Sequence, residues 1–134
     1  MQLYHVCFAV RDLSAAMSDL SATTGARWRA PRTGTLGEWT YRIVFSIAAP
    51  HFELIEGPSG SPWDCTKGPR FHHLGFWSDD MDLDRTALDG VGKTVFDACP
   101  LGRPFSYHRI DTIGADIELV DRLAEPGFRT TWEL

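Results

Sequence analysis

Hydrophobic and polar residues alternate near the start of the chain in the pattern of a β-strand. Within residues 3–10, Val6 and Phe8 fall on one side, whereas His5 and Cys7 fall on the other. The apolar side is expected to pack against other elements of the protein. The side that carries His5 is therefore expected to face a cavity.

A helix is predicted after this strand, and three more strands follow it. Asp12 is suited to cap a helix from Leu13 to about Thr23, and Gly25 supplies the left-handed conformation that commonly ends one. Residues 31–37 are predicted to form a loop. The remaining strands of this first module are predicted at residues 26–30, 39–47 and 51–56.

The same order of elements recurs after a linker rich in Gly, Ser and Pro. The first module covers residues 1–57, the linker 58–70 and the second module 71–121. The second module is predicted to contain a strand at 71–77, a helix at 81–88 capped by Asp79 or Asp80, and strands at 93–98, 105–110 and 115–120. Because Pro126-Gly127 interrupts the tail 122–134, we expect an irregular segment lying on the surface or on a partner subunit. The sequence predicts a single α+β domain of two tandem βαβββ modules.

One histidine and one glutamate recur at matching places in the two modules. His5 precedes Glu53 by 48 residues, and His73 precedes Glu118 by 45 residues. Chance seldom gives the same residues, order and spacing together, and an internal repeat is stronger evidence of architecture than a single motif. The repeat therefore predicts two equivalent halves of one site.

Strand alternation indicates which of these side chains face the cavity. Glu53 and Glu118 each point away from the apolar residues beside them, and of the adjacent His72 and His73 only His73 does so. A carboxylate buried without a partner is either costly or forced to protonate, so two carboxylates beside two imidazoles indicate a cation. This donor set suits a divalent ion such as Ni, Co, Mn, Fe or Zn.

Charge and cysteine content exclude several other classes of protein. A net charge of -5 and a pI near 5.4 argue against nucleic-acid binding, which normally requires a basic face. The apolar runs are too short to cross a membrane, and the three cysteines show no CxxC spacing. The N-terminus lacks the features of a secretory signal, so a cytoplasmic location is expected.

Four segments of the chain resemble the vicinal oxygen chelate superfamily, which includes glyoxalase I, methylmalonyl-CoA epimerase, extradiol dioxygenases, and fosfomycin and bleomycin resistance proteins. These segments are residues 5–13, 52–57, 72–80 and 117–121. The linker and the residues after it are most similar to the epimerase-like branch. The resemblance implies a mixed sheet curled around a central metal cavity, with His5, Glu53, His73 and Glu118 as the metal ligands.

The resemblance also implies a chemistry for this cavity. The expected activity is that of a divalent-metal-dependent isomerase, epimerase or lyase, in which a carboxylate moves a proton next to a carbonyl and the metal stabilises the enolate oxygen. Glu38 matches the position of one acid/base residue of the epimerases and is the first choice for the base, and Glu118 matches the other and is its opposite partner. Five further side chains are candidates to bind substrate: Trp39, Trp77, Phe105, Tyr107 and His108.

Two other functions fit the same residues. A resistance protein that sequesters an antibiotic or metabolite needs no catalysis, but such binders usually lack the metal ligands. A dioxygenase normally uses two histidines and one carboxylate, so the second carboxylate, Glu53, counts against it. The chain shows no glutathione-binding or CoA-binding pattern, which leaves the small-molecule substrate unspecified. A homodimer is the expected assembly.

Overall fold

The computed structural model describes all 134 residues and has the predicted order of elements. The first module contains β1 (Gln2–Ala9), α1 (Leu13–Thr24), β2 (Arg32–Leu36), β3 (Trp39–Phe45) and β4 (His51–Glu56). The second contains β5 (Arg70–Ser78), α2 (Met81–Asp89), β6 (Lys93–Asp97), β7 (Phe105–Ile110) and β8 (Ala115–Asp121), and α3 (Glu125–Trp132) follows it. The predicted α+β fold of two βαβββ modules is confirmed.

The chain forms two compact units whose boundaries run through β1 and β5. The first unit is His5–His72, and the second unit combines Met1–Tyr4 with His73–Leu134. In the first unit the strand order is β2-β3-β4-β1, and in the second it is β5-β8-β7-β6. Each module has one parallel pair, β1 with β4 or β5 with β8, and the other neighbouring strands of each module are antiparallel.

Capping residues set the ends of the helices as the sequence predicts. The Asp12 carboxylate accepts a hydrogen bond from the Ala15 backbone N–H at 3.0 Å, and Gly25 ends α1 at a φ of 74°. The Asp80 carboxylate similarly accepts from the Leu83 N–H at 3.0 Å and begins α2. None of the three α-helices combines the length and hydropathy that a membrane-spanning segment requires.

Helix α1 packs on one face of the sheet of the first unit. Its buried contacts come from the residues of β1, β3 and β4 that alternate with the histidine-bearing positions. The core contains Val10, Leu13, Val44 and Leu54, with Phe8, Ala16, Met17, Leu20 and Trp28 packed against it. The opposite face of this sheet carries His5 and Glu53 and points away from α1.

The predicted strand at residues 26–30 is wrong, and β2 lies in the segment that was expected to be a loop. Trp28 forms only an isolated bridge to Ser46, and its indole N–H donates to Ser21 Oγ at 2.9 Å beneath α1. Pro31 has no N–H to continue the ladder, which resumes only at Arg32. β2 is held by pairing with β3 through a two-residue turn at Gly37-Glu38, where Gly37 has a φ of 56°.

The tail is helical rather than irregular. Pro126 lies in the first turn of α3, where its missing N–H costs no helical hydrogen bond, and Arg129 pairs with Glu125 at 2.6 Å one turn away. Phe128 of α3 lies 5.4 Å from the ring of Tyr4 and 5.6 Å from that of Trp77. The core of the second unit contains Tyr4, Trp77 and Val120, with Phe105, Ala124 and Phe128 packed against it.

Gly92 is required where the chain passes from α2 into β6. A Cβ added there would lie 2.1 Å from the backbone oxygen of Arg109. We expect Gly92→Ala to lower the free energy of unfolding by about 1–3 kcal/mol, the usual cost of overpacking. Gly127→Ala is the matched control, because a Cβ there meets nothing within 4 Å and helix α3 gains propensity. Urea denaturation of both variants checks this, and equal stabilities would contradict the expected clash.

Candidate functional site

The first unit contains a buried pair of His5 and Glu53. These residues lie on the adjacent parallel strands β1 and β4, and His5 and Glu53 are 1% and 5% exposed, respectively. His5 Nε2 lies 3.0 Å from Glu53 Oε2. The alternation of the strands places both side chains on the face opposite α1, as the sequence predicts.

The second unit repeats this arrangement with His73 and Glu118. Here the adjacent parallel strands are β5 and β8, and the two residues are 0% and 6% exposed. His73 Nε2 lies 3.3 Å from Glu118 Oε2. We refer to His5 and Glu53 as the first half-site and to His73 and Glu118 as the second half-site.

The donor atoms of each half-site fit a shared divalent ion. An imidazole nitrogen and a carboxylate oxygen each bind such an ion at about 2.0–2.2 Å. When the ligand–metal–ligand angle lies between a right angle and the tetrahedral angle, the two ligand atoms are about 3.0–3.5 Å apart. The observed distances of 3.0 and 3.3 Å fall in this interval. Two buried imidazoles and two buried carboxylates also supply the nitrogen and oxygen donors that such ions prefer.

An aromatic ring contacts the histidine of each half-site. Phe45 is paired in register with Glu53, and its ring is edge-on to His5 at 5.7 Å between centroids. Tyr107 is likewise paired with Glu118, and its ring centroid lies 4.9 Å from that of His73. The sequence predicts Tyr107 as a candidate but not Phe45. Phe45 lies two residues after Ile43 on the same strand, so the two side chains share one face.

The second half-site lies between an apolar layer and a charged layer of the same sheet face. On one side the register places Val120 opposite Phe105, where the core of the second unit closes the sheet. On the other side it places Asp116 opposite Arg109, and Arg109 Nη1 bonds Asp116 Oδ1 at 3.2 Å. The Arg109 side chain is 40% exposed, so this end of the face reaches solvent.

The candidate substrate-binding residues are placed in different surroundings. Trp39 is half-buried on the His5 face, with its ring 6.5 Å from that of Trp63 in the linker. Trp77 is 2% exposed and stacks on Tyr4 at 3.9 Å, so it belongs to the core. Phe105 contacts Tyr107, with ring centroids 5.3 Å apart.

Neither Glu38 nor His108 is directed toward the half-site of its own unit. Glu38 is exposed in the turn between β2 and β3, where no strand directs it toward the sheet face. His108 is buried on the opposite face from Tyr107, because neighbouring residues of a strand point to opposite faces. Its ring nitrogens contact Ser106 Oγ at 2.7 Å and Thr94 Oγ1 at 3.3 Å. These surroundings are those of a structural histidine.

Burial lowers the pKa of His108 below its ordinary value of 6.5, and the positive charge of Arg85 acts in the same direction. Below about pH 6.5 the unfolded chain takes up a proton that the folded chain refuses, so the free energy of unfolding falls as the pH falls. We expect His108→Gln to remove this contribution. Urea denaturation between about pH 7.5 and about pH 5.5 should show a smaller loss of stability in the variant than in the wild type. Equal losses would contradict the prediction.

Cys7 lies beside the first half-site and is not among the site residues that the sequence predicts. It is fully buried, faces the same way as His5, and donates its thiol hydrogen to Glu53 Oε1 at 3.4 Å. Its position two residues after His5 on one strand is the signal that identifies it.

Comparisons with known proteins place this arrangement in a family. A family model described as the glyoxalase/bleomycin resistance protein/dioxygenase superfamily matches residues 4–106. No curated protein matches the chain in sequence.

Several solved structures share the fold at low sequence identity. A variant of Streptomyces coelicolor methylmalonyl-CoA epimerase in complex with 2-nitronate-propionyl-CoA is 22% identical over 90% of this chain and 96% of its own, with a TM-score of 0.66. Methylmalonyl-CoA epimerase from Mycobacterium tuberculosis is 20% identical over 92% and 91%, with a TM-score of 0.63. A mutant of 4-hydroxymandelate synthase from Streptomyces coelicolor is 17% identical over 90% and 47%, also with a TM-score of 0.63. With its family model matched over most of its length and its βαβββ modules in place, the chain belongs to the glyoxalase/bleomycin resistance protein/dioxygenase superfamily.

Proposed function

We propose that this protein is a divalent-metal-dependent isomerase or epimerase that transfers a proton next to a carbonyl group, and that His5, Glu53, His73 and Glu118 together hold the ion. The observation that carries the proposal is the repetition of a buried histidine–glutamate pair, one in each unit, on matching strands. A carboxylate within a protein is costly to bury unless it is paired or bound to a cation, and each unit buries one such carboxylate beside a histidine.

The residues of the second half-site suit proton transfer. Glu118 is buried beside Tyr107, in surroundings where an acid/base group is shielded from bulk water. A divalent ion, when bound, supplies stabilisation of the negative charge that develops on a substrate oxygen. Glu118 is our first choice for the acid/base group, and Glu38 is the second because its position in the turn is exposed.

The charged layer beside Glu118 supports a polar or anionic substrate. Arg109 and Lys93 are paired in register on β7 and β6, and both lie on the side of the second half-site that is open to solvent. The closed side is filled by Phe105 and Val120. A substrate whose carbonyl group lies at Glu118 would therefore extend its polar portion toward Arg109.

Metal analysis and proton exchange test the proposal together. Protein purified without an affinity tag or chelator should contain about one divalent ion per chain, in line with one four-ligand set. It should then exchange the α-proton of a 2-oxo acid, a hemithioacetal or an acyl-CoA thioester for deuterium in D2O, followed by NMR. If the protein contains no ion but binds a bulky antibiotic-like ligand, it is instead a resistance protein. Consumption of O2 in the presence of a catechol would indicate a dioxygenase.

The expected homodimer also remains a prediction. Sedimentation equilibrium should give twice the monomer mass of 15.0 kDa. A mass of one chain at concentrations that support full activity would contradict it.

A further inference from the structure

We propose that Cys7 is a positioning residue that holds the carboxylate of Glu53 in the orientation in which it binds the ion. This inference rests on the metal site proposed above. The thiol of Cys7 donates to Glu53 Oε1 at 3.4 Å, and the other oxygen, Oε2, lies 3.0 Å from His5 Nε2.

The two side chains that make these contacts, His5 and Cys7, lie on a single face of one strand. His5 and Cys7 are two residues apart on β1, and Cys7 is paired in register with Glu53 on β4. Rotation of the carboxylate about its last bond would break both contacts together. A thiol is a weak donor, but a carboxylate is a charged acceptor that strengthens the bond, and burial keeps water from replacing it.

The second half-site differs from the first at the position that corresponds to Cys7. Gly75 is the residue of β5 that is paired in register with Glu118, so that strand offers no side-chain donor there. The repeat is thus broken where a donor holds one glutamate and a glycine faces the other. This difference assigns Glu53 the part of a fixed metal ligand. Glu118 faces a glycine instead, which leaves space beside this carboxylate for a substrate.

A bond from a neighbouring side chain to a metal ligand commonly changes metal affinity by about 10- to 100-fold when it is removed. We expect Cys7→Ala to weaken Co²⁺ or Zn²⁺ binding by about this factor. Cys7→Ser keeps a hydroxyl donor of similar size and should retain most of the wild-type affinity. Competition with a chromophoric chelator measures all three proteins, and thermal unfolding without metal checks that each variant is folded.

Cys65→Ala is the matched control. Cys65 is 6% exposed in the same unit, and burial raises the pKa of its thiol, but it lies in the linker rather than on the His5 face. Its loss should leave metal affinity unchanged. A loss of affinity equal to that of Cys7→Ala would mean that removing any buried thiol loosens the unit, which would overturn the positioning role.

Absorption of the Co²⁺ form separates positioning from direct coordination. A positioning thiol gives no sulfur-to-cobalt charge-transfer band, and the Cys7→Ser spectrum should match the wild type. A band in the wild type that disappears in Cys7→Ser would make Cys7 a ligand and overturn the proposal. Wild-type affinity in Cys7→Ala would overturn the positioning role alone, whereas a wild type that binds no ion would overturn the metal site itself.

Discussion

Replacing His73 by alanine is expected to abolish metal binding, whereas replacing its neighbour His72 is expected to leave it intact. His73 faces Glu118, but a ring nitrogen of His72 is 2.8 Å from the carbonyl oxygen of Pro62 in the linker. Removing one of four ligands should cost more than the roughly 100-fold that outer contacts cost. The metal content of His73→Ala should therefore fall from about one ion per chain to nearly none.

The two histidines form a closely matched pair for this test. They are adjacent on β5, they are 0% and 4% exposed, and the substitution is the same. Inductively coupled plasma analysis of the purified variants gives the metal content, and circular dichroism reports whether each is folded. Glu53→Ala extends the test to the first half-site and should also lose the ion. Metal retained in both His73→Ala and Glu53→Ala would refute the ligand assignment.

The second large effect is expected from Glu118→Gln. The amide keeps an oxygen donor but cannot take up the α-proton, so exchange should fall by about 10²- to 10⁴-fold, the usual contribution of a positioned acid/base group. Metal content should decline less than exchange does. NMR of the substrate in D2O measures both directions of proton transfer.

Glu38→Gln is the comparison that assigns the role. Because Glu38 is exposed in the turn between β2 and β3, its replacement should leave exchange nearly unchanged. If exchange is lost in Glu38→Gln and kept in Glu118→Gln, the turn must approach the substrate and the base is Glu38. Loss in both variants would make them the acid/base pair that the epimerase-like resemblance implies.

Most of the fold could be predicted because its determinants are local. Asp12, Asp80 and Gly25 fix helix ends through their own backbone contacts, and strand alternation separates the packed face from the histidine-bearing face. The same alternation predicts that His73 rather than His72 faces the cavity, and His73 is the one that lies beside Glu118. β2 could not be predicted, since Arg32–Leu36 has little apolar alternation and is held by its partner strand.

The remaining differences have tertiary causes as well. Pro126-Gly127 predicts an irregular tail, but proline is suited to the first turn of a helix, and Phe128 packs on Trp77. Chemical type alone predicts both Tyr107 and His108 as substrate-binding residues, and both are buried, but strand alternation places Tyr107 beside His73 and His108 on the other face. Aromatic content alone could not make that distinction.

The stacking of Tyr4 on Trp77 has a consequence for attempts to divide the gene. The first four residues of the chain complete the core built by the second module, so the repeat boundary and the folding boundary differ. A half-length fragment that begins at residue 71 lacks Tyr4, and the indole of Trp77 would lose its stacking partner. Supplying Met1–Tyr4 as a fused segment, rather than cutting at the linker, is therefore the way to keep this aromatic core complete in a half-length protein.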